Sequence, residues 1–436
     1  DLRQNNRDGK TGMSDKRSSV PIVPVLSGVI LLAGLCFAVG MGVAHYRTFP
    51  YPQLQEAVRV AKSLIRHGEI IGDGRRMVPP AGAPRDLATV HDAQSAIGRG
   101  HYAIFGWDSG LGTYSVRLHD AAGGLAHVWP IDEMSFSDRP EHRQNAPHAM
   151  LVLEDGSVVV SFDWVGLMAR VDACGNAQWV KEGFYHHSFS RAADGGIWTW
   201  YGEKTGYGQI QDIVKFDPET GDVVTRLSFT QDVIMRSPDS ALAFSMHPDF
   251  PFVADEDGPA DIFHPNDVEE LLPEMAAAFP QFEAGDLVLS IRELDMIAVI
   301  SPQGEIKWIK QGPWLKQHDP DFEPDGRISV YNNSRLRPRS SIMVVDPVTG
   351  AVENATQGLQ APFKSAYRGK HQLLPNGNRL ITIPEQGQAI EITPDGAVAV
   401  EFNNVAGDAP QFNEDLVNAR WVPDGFFDAM PSCGAR

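Results

Sequence analysis

Five of the 14 histidines recur at nearly equivalent places in the chain, four of them six or eight residues before a glycine turn and the fifth separated from its turn by an insertion. They are His148, His187, His264, His318 and His371. Neutral imidazole is a nucleophile near neutral pH, and neighbouring histidine or arginine side chains can stabilise negative charge in a transition state. Arg335 follows the turn behind His318. The pattern indicates a pocket for an anionic group, and a sulfuryl or phosphoryl group would fit.

Two other interpretations of these histidines stay open. Each histidine could occupy a repeat position and hydrogen-bond the backbone of its own structural unit. Imidazole is also a common metal ligand, but the chain has neither an HxxxH nor an HExxH spacing. We therefore expect no metal and no cofactor.

The elements that carry the histidines follow from a repeat that begins near residue 95. One motif has an apolar pair, a glycine turn and a second apolar run, and it occurs six times, as in ARVDACGNAQWV at 169–180. The other has a glycine turn before an apolar strand and occurs in five clear copies, as in PDGRISVYN at 324–332. The motifs alternate, and each pair supplies about four strands.

Four-stranded units repeated around a ring are typical of a β-propeller. The sequence therefore predicts an all-β fold, with a six-bladed propeller over residues 95–407 and a closing segment at 408–436. Hairpins alone would also allow a β-sandwich. In a propeller each of the five histidines would lie on the innermost strand of its blade, so all of them would face one mouth of the central channel.

The N-terminal region has a different composition. Residues 18–44 contain no charged side chain, and five Lys and Arg residues precede them whereas three follow within a comparable distance. This predicts a cytoplasmic head at 1–17, a transmembrane helix at 18–45, and a propeller in the periplasm of an inner-membrane, single-pass protein. A cleaved signal peptide is the alternative. Residues 46–94 are expected to form an amphipathic helix and a linker.

The net charge of −19 argues against nucleic acid as a partner, because phosphate binding needs an excess of Lys and Arg. Only three cysteines are present. Cys174 and Cys433 could form one disulfide in an oxidising compartment, but two cysteines carry little pattern.

Residues 100–405 resemble the bacterial aryl sulfotransferase (arylsulfate sulfotransferase) propellers. The resemblance rests on FHPNDV at 263–268, on Trp308, on KQHDPDFEPDGRISVYNNSR at 316–335, and on GKHQLLPNGNRLI at 369–381 with QGQAIEITPDG behind it. It implies a six-bladed fold and transfer of a sulfuryl group from a phenolic sulfate ester to a phenol through a transiently sulfurylated histidine, without metal or nucleotide.

The resemblance also implies roles for individual residues. His264 and His318 match the two supporting histidines, and Arg335 matches the arginine that binds the sulfuryl group. The family's nucleophilic histidine would fall near 388–391, where this chain has QAIE. His371 is the nearest candidate to replace it. His187, His148 and Asn333 complete the expected substrate-binding set.

A second class of function is compatible with the same sequence. The departure at 388–391 favours a catalytically silent propeller that binds a partner or assembles with other membrane proteins. A quinone-type dehydrogenase propeller is a weaker third reading, since those enzymes usually have more blades and a bound metal.

Overall fold

The computed structural model describes residues 22–46, 76–77, 86–137, 147–162, 166–202, 211–246, 262–360, 362–407 and 409–433. The chain divides into two compact units, residues 1–74 and residues 75–436. The second unit is a ring of six antiparallel β-sheets, so the predicted six-bladed all-β propeller is confirmed.

Each blade is a meander of four strands, numbered here from the innermost strand outward. Blade 1 is β27 (Leu416–Val422), β3 (His101–Asp108), β4 (Thr113–Asp120) and β5 (Leu125–Ile131). Blade 2 is β6 (Ala149–Val152), β7 (Val158–Phe162), β8 (Leu167–Val171) and β9 (Ala177–Glu182). Blade 3 is β10 (Phe184–Arg191), β11 (Ile197–Gly202), β12 (Gln211–Phe216) and β13 (Val223–Ser228).

The remaining blades follow the same plan. Blade 4 is β14 (Pro265–Glu270), β15 (Leu287–Ile291), β16 (Met296–Ile300) and β17 (Ile306–Gln311). Blade 5 is β18 (His318–Phe322), β19 (Ile328–Asn332), β20 (Ser341–Val345) and β21 (Val352–Asn354). Blade 6 is β22 (Lys370–Leu373), β23 (Arg379–Ile383), β24 (Gln388–Ile392) and β25 (Val398–Asn403), with β2 (Ala88–Val90) as a fifth, outer strand.

The turns between the first two strands of the blades need glycine. Gly156 and Gly326 have φ values of 82° and 85°, a left-handed conformation in which a side chain would be strained. The strands that follow these turns, β7 and β19, are buried along their whole length. Both of their faces pack on neighbouring blades, which is why the sequence shows continuous apolar runs there.

Six hydrophobic cores alternate with the six sheets, and each core joins two neighbouring blades. Phe105 of blade 1 shares one core with Val160 of blade 2. At the other end of the repeat, Phe402 of blade 6 shares a core with Ile104 of blade 1. Because the last blade packs on the first in the same way as all the others, the cores form a continuous ring.

The ring is closed by the C-terminal strand. Strand β27 pairs with β3, so the end of the chain supplies the innermost strand of the first blade. Behind it, a disulfide joins Cys433 to Cys174 in the outer turn of blade 2. The short strand β26 (Asn413–Glu414) pairs with β1 (Arg76–Met77) at the other end of the chain.

Among the described residues, few other elements interrupt the sheets. Short α-helices lie at Pro238–Ala243 and Pro273–Ala276, with a π-helical turn at Phe229–Ile234. Single 3₁₀ turns lie at Glu133–Ser135, Arg292–Leu294 and Pro384–Gln386. The helix at Pro273–Ala276 lies within the insertion that separates His264 from its glycine turn.

The first unit contains one described element, helix α1 at Ile22–Tyr46. Among the described residues, no helix was found that is long and apolar enough to cross a membrane. The predicted cytoplasmic head at 1–17 and the predicted amphipathic helix around 51–71 lie outside the described residues. Within 46–94, Ala88–Val90 joins blade 6 as a strand.

Candidate active site

The repeated histidines all lie at the inner edge of the ring. His318 and His371 are in the first two positions of the innermost strands β18 and β22, and His187 is in β10. His148 and His264 directly precede the innermost strands β6 and β14. The propeller therefore places one member of the set on each of blades 2 to 6.

Irregular backbone turns several of these side chains toward one another. The ladders of β10, β14 and β18 each contain a shift in register near the start of the strand, between His186 and Ser190 in the case of β10. His187 and His264 have φ values of 68° and 44°. Such conformations cost about 1–3 kcal/mol each and cluster at functional sites.

Three of the repeated histidines lie around a fourth, His187. Its Nε2 lies 3.2 Å from Nε2 of His264. Its ring centroid lies 4.3 Å from that of His148 and 6.4 Å from that of His318. A further histidine, His186, approaches from the other side, with the two Nδ1 atoms 2.6 Å apart. These five side chains form the histidine cluster, and all except half-buried His148 are buried.

The hydrogen bonds of the cluster fix the proton positions when the rings are neutral. Nε2 of His186 lies 2.8 Å from the carboxamide oxygen of Gln211, which can only accept, so Nε2 of His186 carries the proton. Nδ1 of His186 then accepts from Nδ1 of His187. Nε2 of His187 is consequently left with the lone pair, and it accepts from Nε2 of His264.

The surroundings of His187 and His318 favour the neutral form of these two rings. Burial is the main cause that holds the pKa of His187 well below its usual range, and the adjacent His148, His186, His264 and His318 lower it further. Burial likewise holds the pKa of His318 well below its usual range, with a smaller effect from Arg292. A neutral imidazole is the nucleophilic form.

His318 is held in place by Asn333. Its Nδ1 lies 2.7 Å from Oδ1 of Asn333, and that carboxamide donates to the backbone carbonyls of Ser365 and Arg368. Because the oxygen of Asn333 accepts, Nδ1 of His318 carries the proton and Nε2 carries the lone pair. Asn333 thus positions His318.

His371 belongs to a different group. Its Nδ1 lies 2.9 Å from Oδ2 of Asp319, and its Nε2 lies 2.7 Å from Oγ of Ser329. The ring is fully buried. The structure therefore separates His371 from the histidine cluster.

Charged side chains fill the channel beside the cluster. A cavity lined by His187 also receives four carboxyl groups and two cations: Asp267, Glu269, Asp319, Asp321, Lys370 and Arg420. Burial, then the charge of Asp267, raises the pKa of Glu269 to about 7. Burial, then the charges of Asp319 and Glu269, raises the pKa of Asp321 well above its usual range.

Lys370 partly compensates these charges. Its Nζ lies 2.8 Å from Oδ1 of Asp267 and 2.9 Å from Oδ1 of Asp319. Burial alone would raise the pKa of Asp319, but Lys370, together with His371 and Arg420, lowers it below its usual range. The cavity therefore combines ionised and protonated carboxyl groups.

Comparison with known proteins identifies the family to which the chain belongs. The family model described as Arylsulfotransferase (ASST) matches residues 149–405, more than half of the chain. The chain belongs to the arylsulfotransferase family. A search of the curated proteins found no match.

Solved structures with a similar fold are distant. They include a protein of unknown function from Bacteroides caccae (10% identity, TM-score 0.46, 70% of this chain and 94% of that one). TolB from Acinetobacter baumannii has 11% identity and a TM-score of 0.45, over 75% of this chain and 69% of its own. Virginiamycin B lyase from Staphylococcus aureus has 13% identity and a TM-score of 0.35, over 62% and 73%. No functional argument rests on these similarities.

For this arylsulfotransferase-family chain, the structure brings together only part of the set that the motifs single out. His148, His187, His264 and His318 are in the cluster, and Asn333 supports it. Arg335 is exposed, and its guanidinium lies over the ring of Tyr367, 4.8 Å from the centroid. Arg335 therefore contacts the segment that connects blade 5 to blade 6 rather than the histidines.

Three residues near the histidines were not singled out by sequence reasoning. His186 and Gln211 align His187, and Arg292 lies beside the cluster, with its backbone N–H donating to the carbonyl of His264. Arg292 also acts electrostatically on His318. The adjacent histidines in YHHSF at 185–189 were a visible signal for His186, whereas Gln211 and Arg292 carry no local signal.

Proposed function

We propose that the chain is a sulfotransferase that moves a sulfuryl group from a phenolic sulfate ester to a hydroxyl acceptor, with His187 as the nucleophile. The observation that carries this proposal is the chain of hydrogen bonds from Gln211 through His186 to His187. It places the proton of His187 on Nδ1 and the lone pair on Nε2, on the side of His264 and His318.

In the first step, Nε2 of His187 attacks the sulfur of the aryl sulfate. A nitrogen–sulfur bond forms, the bond between sulfur and the phenolic oxygen breaks, and the phenolate leaves with the electron pair. Nδ1 keeps its proton, so the intermediate is an N-sulfurylated imidazolium whose charge is shared with His186 through their hydrogen bond.

His264 and His318 lie next to His187, and of these two only His264 presents an N–H toward it, because the proton of His318 is directed to Asn333. The guanidinium of Arg292 pairs with Glu293. The Nε2–H of His264 already points at Nε2 of His187, so it is directed to where sulfuryl oxygens would lie once the sulfur is bound. Arg292 adds positive charge close to His318. Preorganised donors of this kind stabilise charge that develops in the transition state.

In the second step, an acceptor hydroxyl attacks the sulfur and the nitrogen–sulfur bond breaks, which returns the electron pair to Nε2 of His187. A base must take the hydroxyl proton. His148 is suited to this role, because it packs on His187 and is the most exposed member of the cluster.

His187 is preferred to His371 as the nucleophile on the same grounds. Both ring nitrogens of His371 are held by side chains of blade 5, Asp319 and Ser329, whereas the two ring nitrogens of His187 lie within hydrogen-bonding distance of other histidines of the cluster. Its ring has no contact with the histidine cluster among the described interactions, and its side chain is fully buried.

The first test is release of nitrophenolate from 4-nitrophenyl sulfate, with and without phenol as acceptor. We expect phenol-dependent release by the wild type, loss of it in His187→Asn, and retention of most of it in His371→Gln when that variant keeps its fold. Turnover that survives in His187→Asn but disappears in a folded His371→Gln would assign the nucleophile to His371.

One observation favours a second candidate function, a catalytically silent binding propeller. Gln388, at the place where the resemblance puts the family's nucleophile, is buried and donates to Glu401 and Asn403 at 2.8 and 2.7 Å. Gln388 therefore joins β24 to β25 within blade 6 and has a structural role there. Absence of turnover and of a labelled histidine with several aryl sulfates would support this candidate.

We further propose that the chain is anchored in the inner membrane, with the propeller in the periplasm. The uncharged run at 18–44 and its basic N-terminal flank support the anchor. The disulfide between Cys174 and Cys433 supports an oxidising compartment. Alkaline phosphatase fused behind residue 433 should be active, and the fusion should stay in the membrane after carbonate extraction. An inactive fusion would contradict the periplasmic location, and release by carbonate would contradict the anchor.

A further inference from the structure

A second group of potential ligands lies in the channel, next to the histidine cluster. Asp319, Asp321 and His371 each offer one ligand atom, and these atoms lie within 4.8 Å of one another. Nε2 of His371 is 3.8 Å from Oδ2 of Asp321. Two atoms bound to one ion at about 2.0–2.2 Å are separated by roughly 3–3.5 Å, so a small closing movement would let both bind the same ion.

The proton of His371 is placed as in many metal sites. Nδ1 donates to Oδ2 of Asp319, which leaves the lone pair on Nε2, directed toward Ser329 and Asp321. A carboxylate that accepts from the far nitrogen of a histidine fixes the tautomer that ligates a metal. The Oγ–H of Ser329 now donates to Nε2, and rotation of this hydroxyl would release the lone pair.

Asn418 provides an independent sign that the cavity takes a ligand. This residue of β27 is only 5% exposed, and its Oδ1 has no hydrogen-bond partner among the described residues. It lines the same cavity as Asp319 and Asp321. A buried carbonyl oxygen without a partner is costly, and a bound cation would satisfy it.

The charges of the cavity point in the same direction. Its carboxyl groups outnumber its cationic side chains by four to two, and the six residues are Asp267, Glu269, Asp319, Asp321, Lys370 and Arg420. With all four carboxyl groups ionised, the cavity would carry two more negative than positive charges, and a divalent cation in place of their protons would balance it. Carboxylate and amide oxygens are ligands of hard divalent cations, and a single imidazole among them suits Mn²⁺ better than Ca²⁺.

We infer that Asp319, Asp321, His371 and Asn418 form a binding site for one divalent cation of the Mn²⁺ class in the central channel. Asp321 and His371 supply direct ligands through Oδ2 and Nε2, and Asn418 supplies a carbonyl oxygen. Asp319 acts mainly by orienting His371. The site is distinct from the histidine cluster, and it does not depend on the proposed sulfuryl transfer.

The same residues do not favour a serine nucleophile. Ser329, His371 and Asp319 are connected as in a hydrolase triad, but Ser329 is 1% exposed and does not line the cavity. A substrate has no described route to its hydroxyl, whereas a single ion needs only the space between the side chains.

The test uses the full-length protein, treated with EDTA and then dialysed. Binding of Mn²⁺ is followed by loss of the free-ion electron paramagnetic resonance signal, and the melting temperature is recorded with and without MnCl₂. We expect one Mn²⁺ per chain and a higher melting temperature. Asp321→Asn should bind roughly 10–100-fold more weakly.

Two features of the variants separate ligation from misfolding. In EDTA, Asp321→Asn should be at least as stable as the wild type, because it removes one of several like charges. Asp325→Asn is the matched control, since Asp325 is a surface carboxylate that pairs with Arg327 outside the cavity. It should bind Mn²⁺ like the wild type.

Two results would overturn the proposed cation site. Failure of Mn²⁺, Ca²⁺ and Zn²⁺ alike to bind the wild type would overturn the inference. Unchanged Mn²⁺ affinity in Asp321→Asn would also overturn it, because the ion would then be held elsewhere. These outcomes are independent of nitrophenolate release, so failure of the cation site leaves the proposed function untouched.

Discussion

Replacing Gln211 by leucine tests how the propeller prepares His187 for attack. Gln211 and His186 are both fully buried, and the bond from Nε2 of His186 to the carboxamide oxygen is 2.8 Å long. Leucine has a similar volume but cannot accept, so the N–H of His186 loses this partner. The proton of His186 is then no longer held on Nε2. The lone pair on Nδ1 of His186, which accepts from Nδ1 of His187, is therefore no longer fixed.

The expected size of the effect follows from this single bond. Leaving a buried donor without its acceptor costs about 1–3 kcal/mol. If that cost appears as misalignment of His187 in the transition state, kcat should fall by roughly 5- to 150-fold, at about 1.4 kcal/mol for each factor of ten. KM should change little, because Gln211 lies behind His186 and away from the position of the substrate.

The assay is acceptor-dependent nitrophenolate release, with the melting temperature measured on the same preparation. Gln211→Glu is the matched variant, because a carboxylate still accepts from His186, and it should keep more activity than Gln211→Leu. Full activity in a folded Gln211→Leu would refute the reasoning, as would equal losses in both variants.

Three further outcomes are expected from the structure. Since burial lowers the pKa values of His187 and His318 in the folded protein, each histidine should reduce stability as the pH falls below about 6.5, by about 1.4 kcal/mol per pH unit until its folded pKa is reached, whereas the raised pKa values of Glu269 and Asp321 act in the opposite direction over this range; the share of His318 is therefore measured as the difference in urea-unfolding free energy between the wild type and His318→Gln, and a difference that stays constant from about pH 7 to about pH 5 would contradict burial as the cause. Cys433→Ser should lower the free energy of unfolding by about 2–4 kcal/mol, whereas the free, exposed cysteine of α1 can be replaced by serine without effect on the propeller. Arg292→Ala should reduce kcat by about 10²-fold while Arg335→Ala leaves it nearly unchanged, and the reverse order would return the anion-binding role to the exposed arginine.

The architecture could be predicted because each blade repeats the same local signals. A glycine in a left-handed turn, as at Gly326, followed by an apolar run leaves few alternatives to a hairpin. The alternation of two such motifs sets the number of blades. Position on the innermost strand also follows from the repeat, since that position depends only on the order of the strands within a blade.

The composition of the site could be predicted only in part, because the spacing of residues along the chain does not determine where each side chain points within the channel. His371 precedes a glycine turn, as His318 does, but it lies six residues before Gly377 whereas His318 lies eight before Gly326, and Asp319 and Ser329 hold its ring away from the other histidines. The register shift in β10 brings His186 and His187 together, and no sequence pattern signals it. The alternating acids of β14 and β18, as in HDPDF, are a sequence signal for the carboxyl groups that line the channel.

The most direct measurement of the central claim is the site of covalent labelling. The protein is incubated with an aryl sulfate carrying labelled sulfur in the absence of acceptor, quenched at alkaline pH, digested with trypsin and analysed by mass spectrometry. We predict one sulfuryl group on His187 in the peptide of residues 182–191, and its disappearance when phenol is added before the quench. A label on His371, or phenol-dependent turnover with no labelled histidine, would contradict the account.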